Sequence, residues 1–403
     1  MMTDVVEFNP FLPEFIADPY PSYRRLREED PVHRSGFGFW VLTRYDDVVT
    51  LLRDPRFGRD RYQPLLRARF GGDTSGGISG SMLFRDPPDH TRLRGLVNKA
   101  FTPRVVETMR PHIQRIVDDL LDAVRQARAM DVIADLAYPL PVIVICEMLG
   151  VPVADRGEFR QWSLDIGRSL DAIATPSDPA VIERGNVARR ALTDYFRTLV
   201  AERRARPRAD LLSALIAAED AGERLSEGEL LATCVLLFVA GHETTVNLIG
   251  NGLLALLRHP DALRALRDDP SLLGSAVEEL LRYDGPVQRT GRIANADTEI
   301  DGRKIDEGTL VLGLIGAANR DPAHFPEPDR LDLGRADNRH LAFGWGIHFC
   351  LGAPLARVEG QIALGTLTRR LRGLTFTGSA PEWRASATLR GLHRLPVAWE
   401  GEA

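Results

Sequence analysis

"FGWGIHFCLG", residues 343–352, places three glycines, a histidine and one of the chain's three cysteines directly ahead of "APLARVEGQIALGTLTRRL", residues 353–371, where apolar residues recur at helical spacing. A cysteine at the start of a helix meets unpaired backbone amides, and these stabilise a thiolate. Gly344, Gly346 and Gly352 clear side chains from around Cys350, so something flat and bulky can approach the backbone closely. Two other assignments fail on the same residues. A dinucleotide fingerprint needs a third glycine where this chain has Phe349. A structural zinc needs four ligands, and beyond His348 and Cys350 only His340 lies near in sequence. A buried, inert thiol is the ordinary state of a lone cysteine, but the helix terminus and the glycine spacing argue against it here.

Composition sets the outer limits. The chain has 403 residues, 44% apolar and 27% charged, as in a globular protein with a large core. A net charge of −5 gives no electrostatic footprint for nucleic acid. Cys146, Cys234 and Cys350 are widely separated with no CxxC, which argues against a disulfide framework and fits a reducing cytoplasm. The N-terminal "MMTDVVEFNPFLPEFIADPYPSYRRLREED" carries acids and prolines where an export signal needs a basic start and an apolar run. The longest apolar run, Leu230 to Gly241, spans twelve residues and meets His242 and Glu243, whereas a membrane span needs about 20. A core helix and no membrane association are the expectation.

Most of the chain from Asp89 to about Tyr283 has helical periodicity, so the protein is expected to be mainly α. Ser226 and Glu229 form a capping box ahead of the long segment "SEGELLATCVLLFVAGHETTVNLIGNGLLALLRH", and Pro260 follows its end. Residues 37–54 predict a strand and then a short helix. A β-rich portion is expected at about 30–60 and 292–315, the latter with a D-G turn, and the stretch from Leu374 also looks strand-like. Residues 71–88 and 174–183 predict surface loops, and no linker divides the chain, so 1–403 is expected to form one domain.

Haem iron takes an axial cysteine thiolate where O–O cleavage is the task. "FGWGIHFCLG" resembles the haem-binding loop of the cytochromes P450, F-G-x-G-x-H-x-C-x-G, at all six specified residues, and "LAR" follows at 355–357. The resemblance runs from "DPYPSYRRLR" to the final strands and is closest to soluble bacterial members. It implies a triangular α-rich prism with small β-sheets, holding haem b between the long central helix and the helix after the cysteine loop. Cys350 becomes the iron ligand, with Phe343, His348 and Gly352 lining the cofactor.

Other motifs follow in family order. "AGHETT", 240–245, resembles the oxygen-activation motif, with Glu243 relaying protons and Thr244 donating at the oxygen being cleaved; threonine hydroxyls can also open the helical ladder there. His242 is expected to be a neighbour. "EELLR" puts Glu279 and Arg282 on one helix face, which in isolation marks a solvated pair; in the family the motif is a buried structural network, its partner being Arg330 or else Arg335. His90 and Arg94 of "PPDHTRLR", with Asp89 as N-cap, join Arg292 and His348 as donors to the haem propionates.

The implied activity is insertion of one oxygen atom from O2 into a hydrophobic small molecule by hydroxylation or epoxidation. Leu236, Val239, Ala240, Val287 and Gln288 are the expected pocket residues, Gln288 as an orienting group, with macrolide, terpenoid, steroid and fatty-acid substrates all open. The chain stops soon after the haem loop with no fused redox module, so electrons are expected from a ferredoxin and an NAD(P)H-dependent ferredoxin reductase, with Arg92 and Arg104 as docking candidates. A monomer is expected. The rivals are a haem-based ligand binder or sensor, a peroxygenase, and a related enzyme carrying out desaturation or ring coupling.

Overall fold

A computed structural model describes residues 7–70, 78–173, 178–220 and 223–402. The strands that carry the argument are β1 (Val32–Arg34), β2 (Trp40–Leu42), β3 (Phe57–Gly58), β4 (Arg289–Ala294), β5 (Thr298–Ile300), β6 (Arg303–Ile305) and β7 (Leu310–Leu314). The helices are α1 (Tyr45–Arg53), α2 (Asp89–Ala100), α3 (Arg156–Ser169), α4 (Pro179–Ala205), α5 (Glu227–Arg258), α6 (Leu273–Asp284) and α7 (Ala353–Arg370). The chain divides into two compact units, one built from residues 1–57, 110–140 and 244–403, the other from 58–109 and 141–243.

In the first unit a five-stranded sheet runs in the order β1-β2-β7-β4-β3, joining the two β-rich portions anticipated from sequence. β7 pairs parallel to β2, with Val311 opposite Trp40, and antiparallel to β4, with Val311 opposite Arg292. β5 and β6 form a separate hairpin whose Asp301-Gly302 turn has φ of 48° and 72°, the left-handed pair that matches strand twist in a tight hairpin. Against the sheet, α1 buries Val48, Leu51 and Leu52 in a cluster with Phe325, Ile315 and Leu341. Gly313 brings β7 close to α1, since a methyl group there would stand 3.1 Å from Leu51 and Val48.

In the second unit α3 and α4 pack closely: a Cβ at Gly185 would come within 2.7 Å of Ser169. Phe159 of α3 sits edge-on to Tyr195 at 4.8 Å and to Phe238 of α5 at 4.8 Å. The capping box forms as anticipated: the Ser226 amide donates to Glu229 Oε2 (2.8 Å) and the Glu229 amide to Ser226 Oγ (3.3 Å). α5 is long and apolar enough to cross a membrane, yet 78% of its most apolar window is buried in protein, as befits a core helix.

Local expectations are corrected at three places. α2 begins at Asp89 itself, with Pro88 in the cap position and no side-chain cap. Within 71–88, residues 78–84 form 3₁₀ turns that bury Met82 and Phe84. Within 174–183, Pro179 onward is the first turn of α4, capped by Asp178; residues 71–77 and 174–177 lie outside those described. α5 runs as one continuous helix through "AGHETT".

Candidate active site

The cysteine loop belongs to the first unit and rests on the core beneath α1. Gly344 and Gly346 have φ of 72° and 71°, where a side chain strains the backbone. A Cβ at Gly346 would also stand 2.7 Å from the Leu52 carbonyl oxygen, so the loop can lie against the end of α1 only with glycine there. Trp345 packs on the core cluster, and the Cys350 amide donates to the Phe343 carbonyl (2.9 Å), closing the loop. α7 starts at Ala353 behind Gly352, so its first amides lie just past Cys350.

The three thiols differ in setting. Cys146 and Cys234 are buried, and burial pushes the Cys234 thiol up to about 12; Cys350 is partly accessible. Arg357, on the first turns of α7, is raised by its hydrogen bond to Glu278, with the charge of Cys350 adding. Its guanidinium makes two 2.7 Å bonds to Glu278 and lies 4.5 Å over the Phe343 ring. Burial opposes ionisation of Glu278, but the bonds from Arg357 and His340 hold its carboxyl down at about 2. His340 spends Nε2 on Glu278 (3.2 Å), and Nδ1 accepts from the Ala342 amide, which ends its candidacy as a zinc ligand. An accessible sulfur beside a helix N-terminus and a guanidinium, with a Cβ at Gly352 still 3.9 Å from Sγ, fits a thiolate ligating the iron of a flat macrocycle.

Behind the loop lies the E-x-x-R network. Glu279 and Arg282 are both fully buried and joined by bonds of 2.7 and 2.8 Å. Arg282 also donates to the carbonyls of Asn319, Pro328 and Arg330. Glu279 further accepts from the Asp332 amide (2.9 Å), Asn338 (3.1 Å) and Arg335 Nε (3.2 Å). The expected partner Arg330 is corrected to Arg335. Arg330 contributes its carbonyl, while its exposed side chain turns to Asp332 and Glu327. The Asn319 side chain accepts from the Leu341 amide (2.7 Å) and so ties this network to the start of the cysteine loop.

Between Leu230 and Leu256 of α5 the accessible positions are Leu237, Ala240, Gly241 and Thr244, spaced as one helix face, whereas Leu236, Val239 and Glu243 are buried. Of the expected pocket residues on this helix, Leu236 and Val239 are buried and Ala240 is exposed. The boundary between the units falls within this helix, between Glu243 and Thr244. His242 is a neighbour as anticipated, bonded to Ser163 (2.6 Å) and to the Phe238 carbonyl (2.8 Å). Thr245 lies near Glu359 of α7, whose carboxyl burial pushes up to about 8.

Among the propionate candidates, Arg292 is buried on β4, donating to the Gly291 carbonyl (2.7 Å), and His348 ends a 3₁₀ turn in the same unit. His90, buried, and Arg94, half-buried, lie one turn apart on α2 in the second unit. Arg92 pairs with Glu229, so of the two docking candidates only Arg104 has an exposed side chain uncommitted to that pair. Val287, half-buried, bridges to Leu389. Gln288 is corrected. Its amide donates to the Gly285 carbonyl (2.8 Å) and accepts from Tyr23 Oη (3.1 Å), leaving nothing to orient a substrate.

The cytochrome P450 family model matches residues 37–384 and so runs through both units. Cytochrome P450 CYP107DY1 of Priestia megaterium is 46% identical over 403 residues, covering 96% of this chain and 97% of that protein. The 6-deoxyerythronolide B hydroxylase of Saccharopolyspora erythraea is 42% identical over 401 residues, covering 96% and 97%. The crystal structure of myxobacterial cytochrome P450 CYP267B1 in complex with myristic acid superposes with a TM-score of 0.90 at 45% identity, covering 97% of this chain and 98% of that one.

Proposed function

Because this chain belongs to the cytochrome P450 family and is a monooxygenase that binds haem b, we propose that Cys350 holds the iron, with Phe343, His348 and Gly352 of its loop against the cofactor and residues 1–403 working as one domain. The observation that carries this reading is the setting of Cys350: partly accessible, just ahead of α7 and within the field of Arg357. Bound haem supplies the activation of O2, one atom of which enters substrate while the other leaves as water at the expense of two electrons and two protons.

This chain's residues hold and deliver those protons. Glu243, buried on α5, carries them at its carboxylate, and Thr244, the next and half-buried residue of the same helix, donates them at its hydroxyl. That acid–threonine pair favours an O2-dependent monooxygenase over a peroxygenase. Arg292 and His348 of the first unit would donate to the propionates, two anions that favour charged hydrogen-bond donors. Leu236, Leu237, Val239 and Ala240 of α5 supply apolar pocket surface for a hydrophobic small molecule, a macrolide or a fatty acid being consistent with the relatives named above. A ferredoxin and an NAD(P)H-dependent ferredoxin reductase supply electrons on the Cys350 side. The protein works as a cytoplasmic monomer.

The test is the absorption spectrum of the holoprotein reduced by dithionite under carbon monoxide. A strongly red-shifted Soret band that Cys350→Ala abolishes is expected. Retention of the band in that variant would sink the assignment. Spin-state titrations and product analysis with competent redox partners then separate turnover from ligand binding.

A further inference from the structure

Glu243 lies on a patch of α3 that glycine leaves clear. A methyl group built at Gly167 would overlap Glu243 Oε2 and stand 3.0 Å from both Oε1 and Cδ. Backbone geometry does not explain this glycine, since Gly167 is helical and absent from the residues of positive φ. Helices disfavour glycine relative to alanine, so clearance is the property that remains. Gly157, on the same helix, differs: a methyl group there meets nothing within 4 Å.

Two contacts fix the register that places Glu243 over Gly167. Phe159 packs edge-on to Phe238, and Ser163 hydrogen-bonds His242. Phe159, Ser163 and Gly167 are spaced four apart, one face of α3, and they meet Phe238, His242 and Glu243 in the same order along α5. With two contacts locking the helices, a side chain at position 167 is relieved by moving the Glu243 carboxylate rather than by sliding α5. The six residues of this contact, Phe159, Ser163, Gly167, Phe238, His242 and Glu243, belong to the second unit.

We infer that Gly167 is a positioning residue: by lacking a Cβ it lets the Glu243 carboxylate lie against α3 in the orientation from which it passes protons towards Thr244. This rests on the reading of Glu243 as a proton carrier. Misplacement by about 1 Å can cost on the order of 10²-fold in a positioned step, so even a partial displacement is measurable.

The experiment uses the holoenzyme with NADPH, a surrogate ferredoxin and reductase, and myristic acid as the probe. Peroxide released per NADPH oxidised is read beside thermal melting of the resting protein. Gly167→Ala is expected to keep the reduced carbon monoxide spectrum, raise peroxide yield about threefold or more, and melt lower; Gly157→Ala is expected to leave the peroxide yield unchanged and to melt no lower than wild type. Glu243→Asp in the Gly167→Ala background, with a carboxylate one methylene shorter, is expected to recover melting temperature and part of the coupling. Wild-type peroxide yield in Gly167→Ala, or strictly additive melting shifts for the two positions, would overturn the inference. If Gly167→Ala fails to retain haem, recovery of haem in the double variant supports the inference and continued failure overturns it. Glu243→Gln separates the premise: wild-type coupling in that variant removes the proton-carrier reading, and the positioning role with it, whatever the melting shifts.

Discussion

Arg335 Nε lies 3.2 Å from Glu279 Oε2 and completes the set of donors around a carboxylate with no access to solvent. Removing one partner of a buried ion pair is far more costly than losing a surface pair. Arg330, five residues earlier, directs its side chain to solvent and its carbonyl inward to Arg282 and Arg335.

Arg335→Ala is therefore expected to destabilise the holoprotein by about 2–3 kcal/mol, the range for a lost hydrogen bond to a charged group. Arg330→Ala, which keeps the carbonyl, is expected to stay within about 0.5 kcal/mol of wild type. Chemical denaturation followed by haem absorbance checks both. Equal losses in the two variants would return the role to Arg330.

Leu236 and Leu237 are adjacent on α5 and are expected to fail differently. Leu236 is buried, so Leu236→Ala removes packing and is expected to cost about 2–5 kcal/mol of stability. Leu237 is half-buried on the accessible face shared with Ala240 and Thr244, so Leu237→Phe is expected to keep the melting temperature and alter the affinity of substrate-induced spin-state shifts. Titration with a panel of fatty acids and macrolides, beside melting curves, reads the two effects separately.

Thr244→Ala is expected to retain haem and the reduced carbon monoxide spectrum while diverting reducing equivalents to peroxide, with product formation down by roughly 10²-fold, the lower end for a lost acid–base group. Oxygen uptake, peroxide and product measured on the same sample check it. Unchanged coupling would remove the Thr244 hydroxyl from the proton path.

Much of this was legible because it is local. The glycines of the cysteine loop, the capping box of Ser226 and Glu229, and the D-G turn of the β5–β6 hairpin are decided by adjacent residues, and each forms where the sequence predicts it. The misses are tertiary. Arg335 displaces Arg330 because the backbone after Pro328 points the Arg330 carbonyl inward, a matter of chain path rather than composition. Gln288 is taken up by Tyr23, 265 positions away in the chain. The accessible face of α5 through Leu237, Ala240, Gly241 and Thr244 was not legible because a helix apolar all round gives no phase from which it can be seen. Asp89 lost its cap role to Pro88 by one residue, within the usual uncertainty of helix boundaries. The clearance at Gly167 has no sequence signal, since it exists only once α3 meets α5.

Glu359 and Glu278 make opposite demands on pH. Glu278 is held down at about 2, so its bonds to Arg357 and His340 stabilise the protein above the ordinary glutamate value of 4.5 and are lost as pH falls through 2. Glu359 is pushed up by burial to about 8 from that same ordinary value. The folded protein then keeps a proton that the unfolded chain releases, so stability is full below pH 4.5, falls as pH rises towards 8, and stays reduced above it. A difference of this size between folded and unfolded states corresponds to a loss on the order of 5 kcal/mol above pH 8. Glu359→Gln keeps the shape and removes the titration. Its melting temperature is expected to match wild type near pH 5 and to exceed it progressively from pH 6 to 9, while other titrating groups cancel in the comparison. A constant offset across that range would mean that Glu359 is ionised in the folded protein and that its burial beside Thr245 carries no pH-linked cost.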